Sequence, residues 1–273
     1  NDQGNTGADP GLTGTGTTEE GSNSVTINLS AVNDDPTNVG SLPTDVTVTE
    51  DVLSNVDLSL IDLSDVDAGG GNLTVTLTTA TGGNLIAVSG GGVTVAGSGT
   101  GVLTLTSTHA NLNTYLNSAA NVQYLHGTAN TNGNNADTIT VQVSDNGNTG
   151  SGGGGTLSLG TVNMDITAQN DAPTITALAD QTIPEDGTTG ALAFSVSDVE
   201  TAAGSLTVTA VSSNTTIIPN GNLTLVDLGG GNWTIAATPA LNQTGGPVTI
   251  TVTVSDGTTS TNETFDVTVT AQN

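Results

Sequence analysis

Apolar and polar residues alternate with a period of two along much of the chain. In "DTITVQVSD", Ile139, Val141 and Val143 fall on one face, and "VTITVTVSD" and "TFDVTVTAQN" repeat the pattern further on. Near the N-terminus, "SVTINLSA" spanning 24–31 does the same. This alternation is typical of strands with one buried and one solvated face. Gly-rich runs such as "SGGGG" separate the segments and favour turns. The pattern predicts an all-β protein.

One segment has the spacing of a helix instead. "THANLNTYLNSAA" places Leu112, Tyr115, Leu116 and Ala119 at i, i+3, i+4 and i+7, which predicts one short amphipathic helix. Thr108 stands at its start and is suited to accept a hydrogen bond from the first turn.

Recurring sequence motifs divide the chain into repeats. "VNDDP" recurs as "QNDAP", "VTED" as "IPED", "SDVD" as "SDVE", and "VSDNG" as "VSDG". These matches predict a terminal piece over 1–32, a complete repeat over 33–169 and a second repeat over 170–273. We expect each repeat to be a seven-strand antiparallel β-sandwich, with the sandwiches joined end to end in a linear rod.

The terminal piece holds only the last loop and the last strand of such a repeat. A lone strand cannot bury its own apolar face. Two alternatives follow. Either the missing strands lie upstream in a longer chain, or this strand completes a sandwich in a neighbouring molecule by strand addition, which would make the chain a self-assembling filament subunit.

Charge restricts the partners of the chain. Its 273 residues contain 26 Asp and Glu but no Lys or Arg, which gives a formal net charge of −26. Such a chain repels nucleic acid and anionic lipid surfaces, and the expected counter-charge is a metal ion. Cys is absent, which excludes thiolate metal sites. No uninterrupted apolar run reaches 18 residues, so direct membrane insertion is not expected.

The acids recur in the same order in both repeats. The recurring set comprises Asn33, Asp34, Glu50, Asp65, Asp67 and Asp145 in the first repeat, and Asn170, Asp171, Glu185, Asp198, Glu200 and Asp256 in the second. In a sandwich entered at the top and left at the bottom, Glu50 falls at the bottom, while Asp65, Asp67 and Asp145 fall at the top beside the linker. Such clusters of carboxylates supply the hard oxygen ligands that Ca²⁺ prefers. The alternative for any single Asp is an ordinary turn residue whose side chain binds nearby backbone.

Taken together, these motifs resemble the tandem cadherin-like repeats of large bacterial surface proteins and RTX-type adhesins, and the resemblance covers essentially the whole chain. In that family, calcium ions at the junctions stiffen the rod. The resemblance implies linker ligands at Asn33 and Asp34 and at Asn170 and Asp171. It implies further ligands for the upper junction at Asp65, Asp67 and Asp145, and for the lower at Asp198, Glu200 and Asp256. Ala31 and Ala168 stand where the family often has an acid, so one or two ions per junction are expected.

The expected function is that of a calcium-rigidified segment of an extracellular adhesin or filament on the bacterial cell surface. Its partners would be other repeats or like subunits, with surface or matrix glycans as further candidates. His109 and His126 lack a neighbouring nucleophile motif, so an enzyme is not expected. A carbohydrate-binding module is the alternative, and an exposed aromatic platform would distinguish it.

Overall fold

The structure, a computed structural model, describes residue 29, residues 32–147 and residues 155–272. The predicted terminal piece over 1–32 therefore lies outside the described residues, except for Leu29 and Val32.

Strands dominate the described parts. Those of the first repeat are β1 (Thr37–Asn38), β2 (Asp45–Thr49), β3 (Ser54–Asn55), β4 (Leu63–Ser64), β5 (Leu73–Thr79), β6 (Gly83–Ala87), β7 (Thr94–Ala96), β8 (Val102–Ser107), β9 (Val122–His126), β10 (Gly133–Ser144) and β11 (Thr156–Thr167). Those of the second repeat are β12 (Thr174–Ile175), β13 (Gln181–Pro184), β14 (Leu192–Ser197), β15 (Thr207–Ser212), β16 (Leu223–Gly229), β17 (Asn232–Ala237), β18 (Gly245–Ser255) and β19 (Ser260–Thr270).

The second repeat is a sandwich of two four-stranded sheets. One sheet has the order β12-β14-β17-β16 and the other β13-β19-β18-β15. Three short 3₁₀ turns accompany the strands of the two repeats, at Ala119–Asn121, Ala203–Ser205 and Asn220–Asn222. The strand pairing confirms the predicted all-β sandwich.

The first repeat follows the same plan with an insertion. One sheet has the order β3-β9-β6, and β1 and β4 form a separate two-stranded sheet. The opposite sheet has the order β2-β11-β10-β5-β8-β7, so β8 and β7 extend it beyond β5. The segment between β8 and β9 holds α1 (His109–Leu116), and Thr108 accepts a hydrogen bond from the Asn111 N–H. The predicted helix and its cap are thereby confirmed.

The first strand of each repeat is divided between the two sheets. In the first repeat, β1 pairs antiparallel with β4, and the chain then crosses over so that β2 runs parallel to β11. In the second repeat, β12 and β13 do the same with β14 and β19. The expectation of a purely antiparallel sandwich is wrong in this detail. A first strand that crosses to the other sheet lies beside the last strand, and both run toward the same end.

Buried residues form two separate hydrophobic clusters, one drawn from residues 46–166 and the other from residues 178–269. The alternating residues predicted for the core are buried as expected. They include Ile139, Val141, Val143, Val248, Ile250, Val252, Val254, Phe265, Val267 and Val269. Each repeat thus has its own core. The boundary between residues 169 and 170 stays a prediction.

A buried carboxylate closes one end of the first repeat. Asp137 is 1% exposed, and its oxygens accept hydrogen bonds from the Tyr124 hydroxyl at 2.9 Å and from four backbone N–H groups. These N–H groups belong to Ala80, Thr81, Gly83 and Thr138. A Cβ on Gly83 would collide with the Tyr124 ring, so only glycine allows this close approach. Burial raises the pKa of Asp137, but the hydrogen bonds from Thr138, Thr81 and Tyr124 outweigh it and hold the pKa below its ordinary value.

We expect Asp137→Asn to destabilise the first repeat by about 1.5–3 kcal/mol at pH 7, because an amide nitrogen would then face the donors that the charged oxygen now accepts. The depressed pKa means that this stabilisation is present above the unfolded value of about 3.9 and is lost as the pH falls through the folded pKa. The difference in the free energy of unfolding between the wild type and Asp137→Asn should therefore become smaller at acid pH.

Urea unfolding from pH 7 to acid pH measures this difference. Tyr124→Phe removes one of the five donors and should cost about 1 kcal/mol, and the exposed Asp35→Asn serves as a control with little effect. If the difference in unfolding free energy between wild type and Asp137→Asn does not change with pH, Asp137 is not charged in the folded protein.

Candidate metal centre

Five predicted ligands lie together at the upper end of the first repeat. The Asn33 amide Nδ2 donates to Asp145 Oδ2, and the Asp34 N–H donates to Asp67 Oδ2 at 3.1 Å. Asp65 Oδ1 accepts from the Asp67 N–H at 3.1 Å and from the next backbone N–H along the chain at 3.0 Å. The acids after β4 and β10 are thus tied to the entering linker.

The second repeat has the same arrangement at its upper end. Asn170 Nδ2 donates to Asp256 Oδ2 at 2.8 Å, and the Asp171 N–H donates to Glu200 Oε2 at 3.0 Å. Asp198 Oδ1 accepts from the Glu200 N–H at 3.0 Å. The five positions therefore make equivalent hydrogen bonds in both repeats, including Asp67 and Glu200, which differ by one methylene.

Glu50 lies at the lower end of the first repeat, where the second repeat begins. It is 1% exposed, and its Oε1 accepts from the Gln169 N–H at 2.8 Å, directly before the second Asn-Asp motif. Its Oε2 accepts from Asn132 Nδ2 at 2.8 Å. Glu185 accepts from the Gln272 N–H at 2.9 Å in the same way. Glu185 therefore lies at the far end of the second repeat and not with the Asn170 group.

Asp51 belongs to the same junction, although it is not among the ligands predicted from the sequence. Its carboxylate accepts from the Asn130 N–H at 3.2 Å, and it interacts electrostatically with Asp171 of the second repeat. Asp186 repeats the contact by accepting from the Asn242 N–H at 3.1 Å. The signal was present in the sequence, because both repeats have a Glu-Asp pair at this turn.

Electrostatic repulsion at this junction is centred on Asp171. Burial raises the pKa of Asp171, and the negative charges of Glu200, Asp51, Glu50 and Asp198 raise it further. Repulsion between carboxylates at short range favours either a proton or a bound cation.

Two other acids of these clusters have shifted pKa values. At the upper junction, burial and the hydrogen bond with Asp67 raise the pKa of Asp65. Asp256 differs, because hydrogen bonds from Thr259, Asn170 and Thr258 lower its pKa. Asp256 is thus already stabilised in its charged form by neutral donors.

Certain buried oxygens at these junctions have no hydrogen-bond partner. Among the described residues, four buried side-chain oxygens lack one, and all four belong to predicted ligands: Asn33 Oδ1, Asp65 Oδ2, Asp171 Oδ2 and Asp198 Oδ2. The remaining unpartnered atoms are nitrogens of His109 and Trp233. A buried oxygen without a donor costs free energy. A bound cation would supply the interaction that these oxygens lack.

A hard cation at these positions would need amide or backbone carbonyl oxygens as ligands in addition to carboxylate oxygens. Within the described parts of the chain, no three Asp, Glu, His or Cys side chains are arranged to hold a metal ion by themselves. Ca²⁺ accepts amide and backbone carbonyl oxygens as well as carboxylates, in flexible geometry. The unpartnered Asn33 Oδ1 is an oxygen of this kind.

The sequence of the second repeat matches a known family. Residues 170–270 match the model described as a bacterial Ig domain. The match covers the sandwich formed by β12 to β19. No curated protein matches the chain.

Solved structures give only a loose likeness. The titin domains Z1Z2 in complex with telethonin are 13% identical, cover 89% of this chain and 100% of that chain, and give a TM-score of 0.31. The titin M3 domain is 16% identical over 36% of this chain and 95% of its own, with a TM-score of 0.28. An endo-fucoidan hydrolase of glycoside hydrolase family 107 is 18% identical over 87% of this chain and 29% of its own, with a TM-score of 0.29. TM-scores this low carry no functional argument.

In the parts of the chain that the structure describes, no helix is both long enough and apolar enough to cross a bilayer.

We expect Asp171→Asn to raise the melting temperature of the calcium-free protein at pH 7 by a few degrees, because it removes one charge from the repulsive group. The same substitution should reduce the increase in melting temperature that calcium produces in the wild type.

Scanning calorimetry with and without calcium provides the measurement. Asp227→Asn is the matched control, because Asp227 accepts a turn N–H from Gly229 at 2.8 Å but stands outside the junction clusters. If Asp171→Asn lowers the melting temperature without calcium and leaves the calcium response unchanged, Asp171 is an ordinary turn acid.

Proposed function

We propose that this chain is a structural repeat segment of an extracellular bacterial surface protein, in which calcium at the repeat junctions stiffens the rod. The observation that carries the proposal is the set of unpartnered buried oxygens at Asn33, Asp65, Asp171 and Asp198. Equivalent hydrogen bonds place Asp65 and Asp198 in the same position in the two repeats. An ordinary turn acid would not leave a buried oxygen without a donor twice at one position.

The ligand chemistry favours Ca²⁺ over Mg²⁺. Ca²⁺ takes six to eight oxygen ligands in flexible geometry, whereas Mg²⁺ demands an octahedron and retains water. The junction offers carboxylates from both repeats, through Glu50 and Asp51 on one side and Asp171, Asp198 and Glu200 on the other. With no Lys or Arg in the sequence, a bound cation is the available source of compensating positive charge.

The mechanism is mechanical. Glu50 already holds the linker by its bond to the Gln169 N–H, and Glu200 holds it by its bond to the Asp171 N–H. Asp171 and Asp198 would hold the ion together with acids of the preceding repeat, and the ion would supply attraction where the carboxylates otherwise repel one another. Bending at the linker would then separate ligands from the ion, so the rod resists bending.

The partners and location follow from this role. The match of residues 170–270 to a bacterial Ig domain supports a structural or adhesive repeat at the cell surface rather than a catalyst. Neighbouring repeats or like subunits are the proposed partners. A glycan-binding role is less well supported. Tyr115, Tyr124, Phe194 and Phe265 are buried, and Trp233 packs partly buried on the second core, so none of them forms an open platform.

Chelation should loosen the rod before it unfolds the repeats. We expect EGTA to broaden the distance distribution and reduce the maximum dimension in small-angle X-ray scattering, while circular dichroism still reports folded strands. Magnesium at the same concentration should restore the maximum dimension less well than calcium. An unchanged maximum dimension after chelation would refute a junction held by calcium.

Single substitutions should weaken the two junctions separately. Asp65→Ala is expected to raise the calcium dissociation constant of the upper junction, and Asp198→Ala that of the lower junction. In extracellular modules this constant is about 0.1–1 mM. Isothermal titration calorimetry measures the constants, with Asp227→Ala as the matched turn-acid control. Equal calcium affinity in wild type and in both variants would contradict the assignment.

A further inference from the structure

Strand β15 of the second repeat has an open edge. It is the outermost strand of its sheet, and it pairs with β18 on one side only. Among the residues that the structure describes, no strand bonds to its other side. A six-residue edge of this kind presents unpaired N–H and C=O groups to any extended strand that approaches.

The first repeat shows how this edge can be covered. Its equivalent strand β5 pairs with β10 on one side and with β8 on the other. The β8 strand, "VLTLTS", bonds along β5 from Leu73 opposite Ser107 to Thr78 opposite Val102. The second repeat lacks this insertion. Its β15 strand therefore offers the edge that β8 fills in the first repeat.

The hydrogen-bond pattern between β15 and β18 shows which backbone groups of β15 are free. The Ser213 N–H bonds to Thr249 O, and alternation then turns the backbone groups of residues 211, 209 and 207 toward β18. The backbone groups of Val208, Ala210 and Ser212 turn outward. Asn220 Oδ1 caps the Ser212 N–H at 2.8 Å. Val208 and Ala210 remain as the residues that can bond to an incoming strand.

Charge identifies where two copies of this chain can approach each other. The sequence contains no Asp or Glu over residues 68–136 or over residues 201–226, although it contains 26 elsewhere. These acid-free parts include β5 to β9 and also β15. The opposite edge strand of each repeat has an acid on it or directly before it, Asp45 on β2 and Asp180 before β13, and the inner strand β19 next to β13 carries Asp266. Strand β15 therefore brings no carboxylate of its own to a second copy, and the acid on this side of the repeat is Asp227 of β16.

Other exposed edges are less suitable. The outer edge of β6 is already bonded, since Leu85 N–H donates to Thr100 O and Gly99 N–H donates to Leu85 O. Strand β7 has three residues, and β16 carries Asp227 near its centre. Strand β15 combines length, neutrality and the exposed apolar side chain of Val211, which is 52% exposed. Natural edges are commonly protected by Lys, Pro or a bulge, and β15 contains no Lys or Pro.

We propose that β15 is a lateral docking strand that pairs antiparallel with β15 of a second copy of this chain. A two-fold axis that passes between the Thr209 residues of the two copies places Val208 of each copy opposite Ala210 of the other. Every outward N–H and C=O of these two residues is then used, which gives four hydrogen bonds across the interface. Val211 packs opposite Thr207 of the second copy. The interaction is independent of the ions at the junctions.

Sedimentation velocity tests the pairing on the full chain, in calcium and about 0.15 M salt, where surface repulsion is screened. The wild type should form a dimer as its concentration rises. Thr209 is exposed and would face its own copy across the axis, so Thr209→Glu should abolish the dimer by placing like charges directly opposite each other. Thr209→Lys should do the same.

Mixing the two variants provides the decisive measurement. An equimolar mixture of Thr209→Glu and Thr209→Lys places opposite charges across the axis and should restore the dimer. A variant that merely unfolds would not be rescued in this way. Thr94→Glu on β7 is the matched control at another exposed strand and should dimerise like the wild type.

Three results would overturn the proposal. These are a wild type that stays monomeric at all concentrations, a dimer that survives Thr209→Glu, and an equimolar mixture of Thr209→Glu and Thr209→Lys that stays monomeric. Repeating the wild-type measurement in EGTA separates this proposal from the calcium proposal. Lateral pairing should persist under chelation even though the junctions loosen.

Discussion

The chain has 26 carboxylates and no Lys or Arg, so its folded state depends on how those negative charges are satisfied by neutral donors. The structure uses backbone N–H groups for this purpose. Asp137 accepts four of them, Asp165 accepts the Asn135 N–H at 2.8 Å, and Asp180 accepts the Asp266 N–H at 2.8 Å. Charge-assisted bonds of this type are stronger than neutral ones. They fix loops to strands across long sequence separations, a task that salt bridges often perform in other proteins.

The junction acids form the exception to this pattern. Asp65 and Asp198 each direct one oxygen to backbone donors and leave the other buried without a partner. The two classes of acid therefore differ in whether all their oxygens have hydrogen-bond donors. Interior acids such as Asp137 find all their donors within one repeat, whereas Asp65, Asp171 and Asp198 each keep a buried oxygen that has no partner among the described residues. Under the calcium proposal, this division would separate the stability of each sandwich from the stiffness of the linker.

Much of the fold could be predicted because its signals are local. Alternation placed Ile139, Ile250 and Phe265 on buried faces, and the spacing of the apolar residues after Thr108 predicted the helix. The parallel pairing of β2 with β11 could not be predicted, because the pattern of a strand does not name its neighbour. Asp137 was missed for a related reason. A single Asp at the start of an alternating run resembles a solvated turn acid until the loop containing Gly83 packs over it.

The junction shows the same limit. Repetition pointed to Glu50 and Asp171, but it could not decide whether Glu50 or Asp51 faces the second repeat, since adjacent side chains differ only in direction. In the structure, both interact electrostatically with Asp171. The order of acids along the chain is thus a good guide to which end of a sandwich they occupy, and a poor guide to the individual atoms that meet there.

The bond from the Gln169 N–H to Glu50 has a consequence for the entropy of ion binding. Because this bond and the bond from the Asp171 N–H to Glu200 already restrict the backbone torsions of the linker, folding of the two sandwiches orders much of the coordination region in advance. An arriving ion would then immobilise few additional torsions, and its binding would lose less conformational entropy than binding to a free loop. Under the calcium proposal, such preorganisation would allow a small number of ligands to hold an ion in the range of about 0.1–1 mM that is typical of extracellular modules.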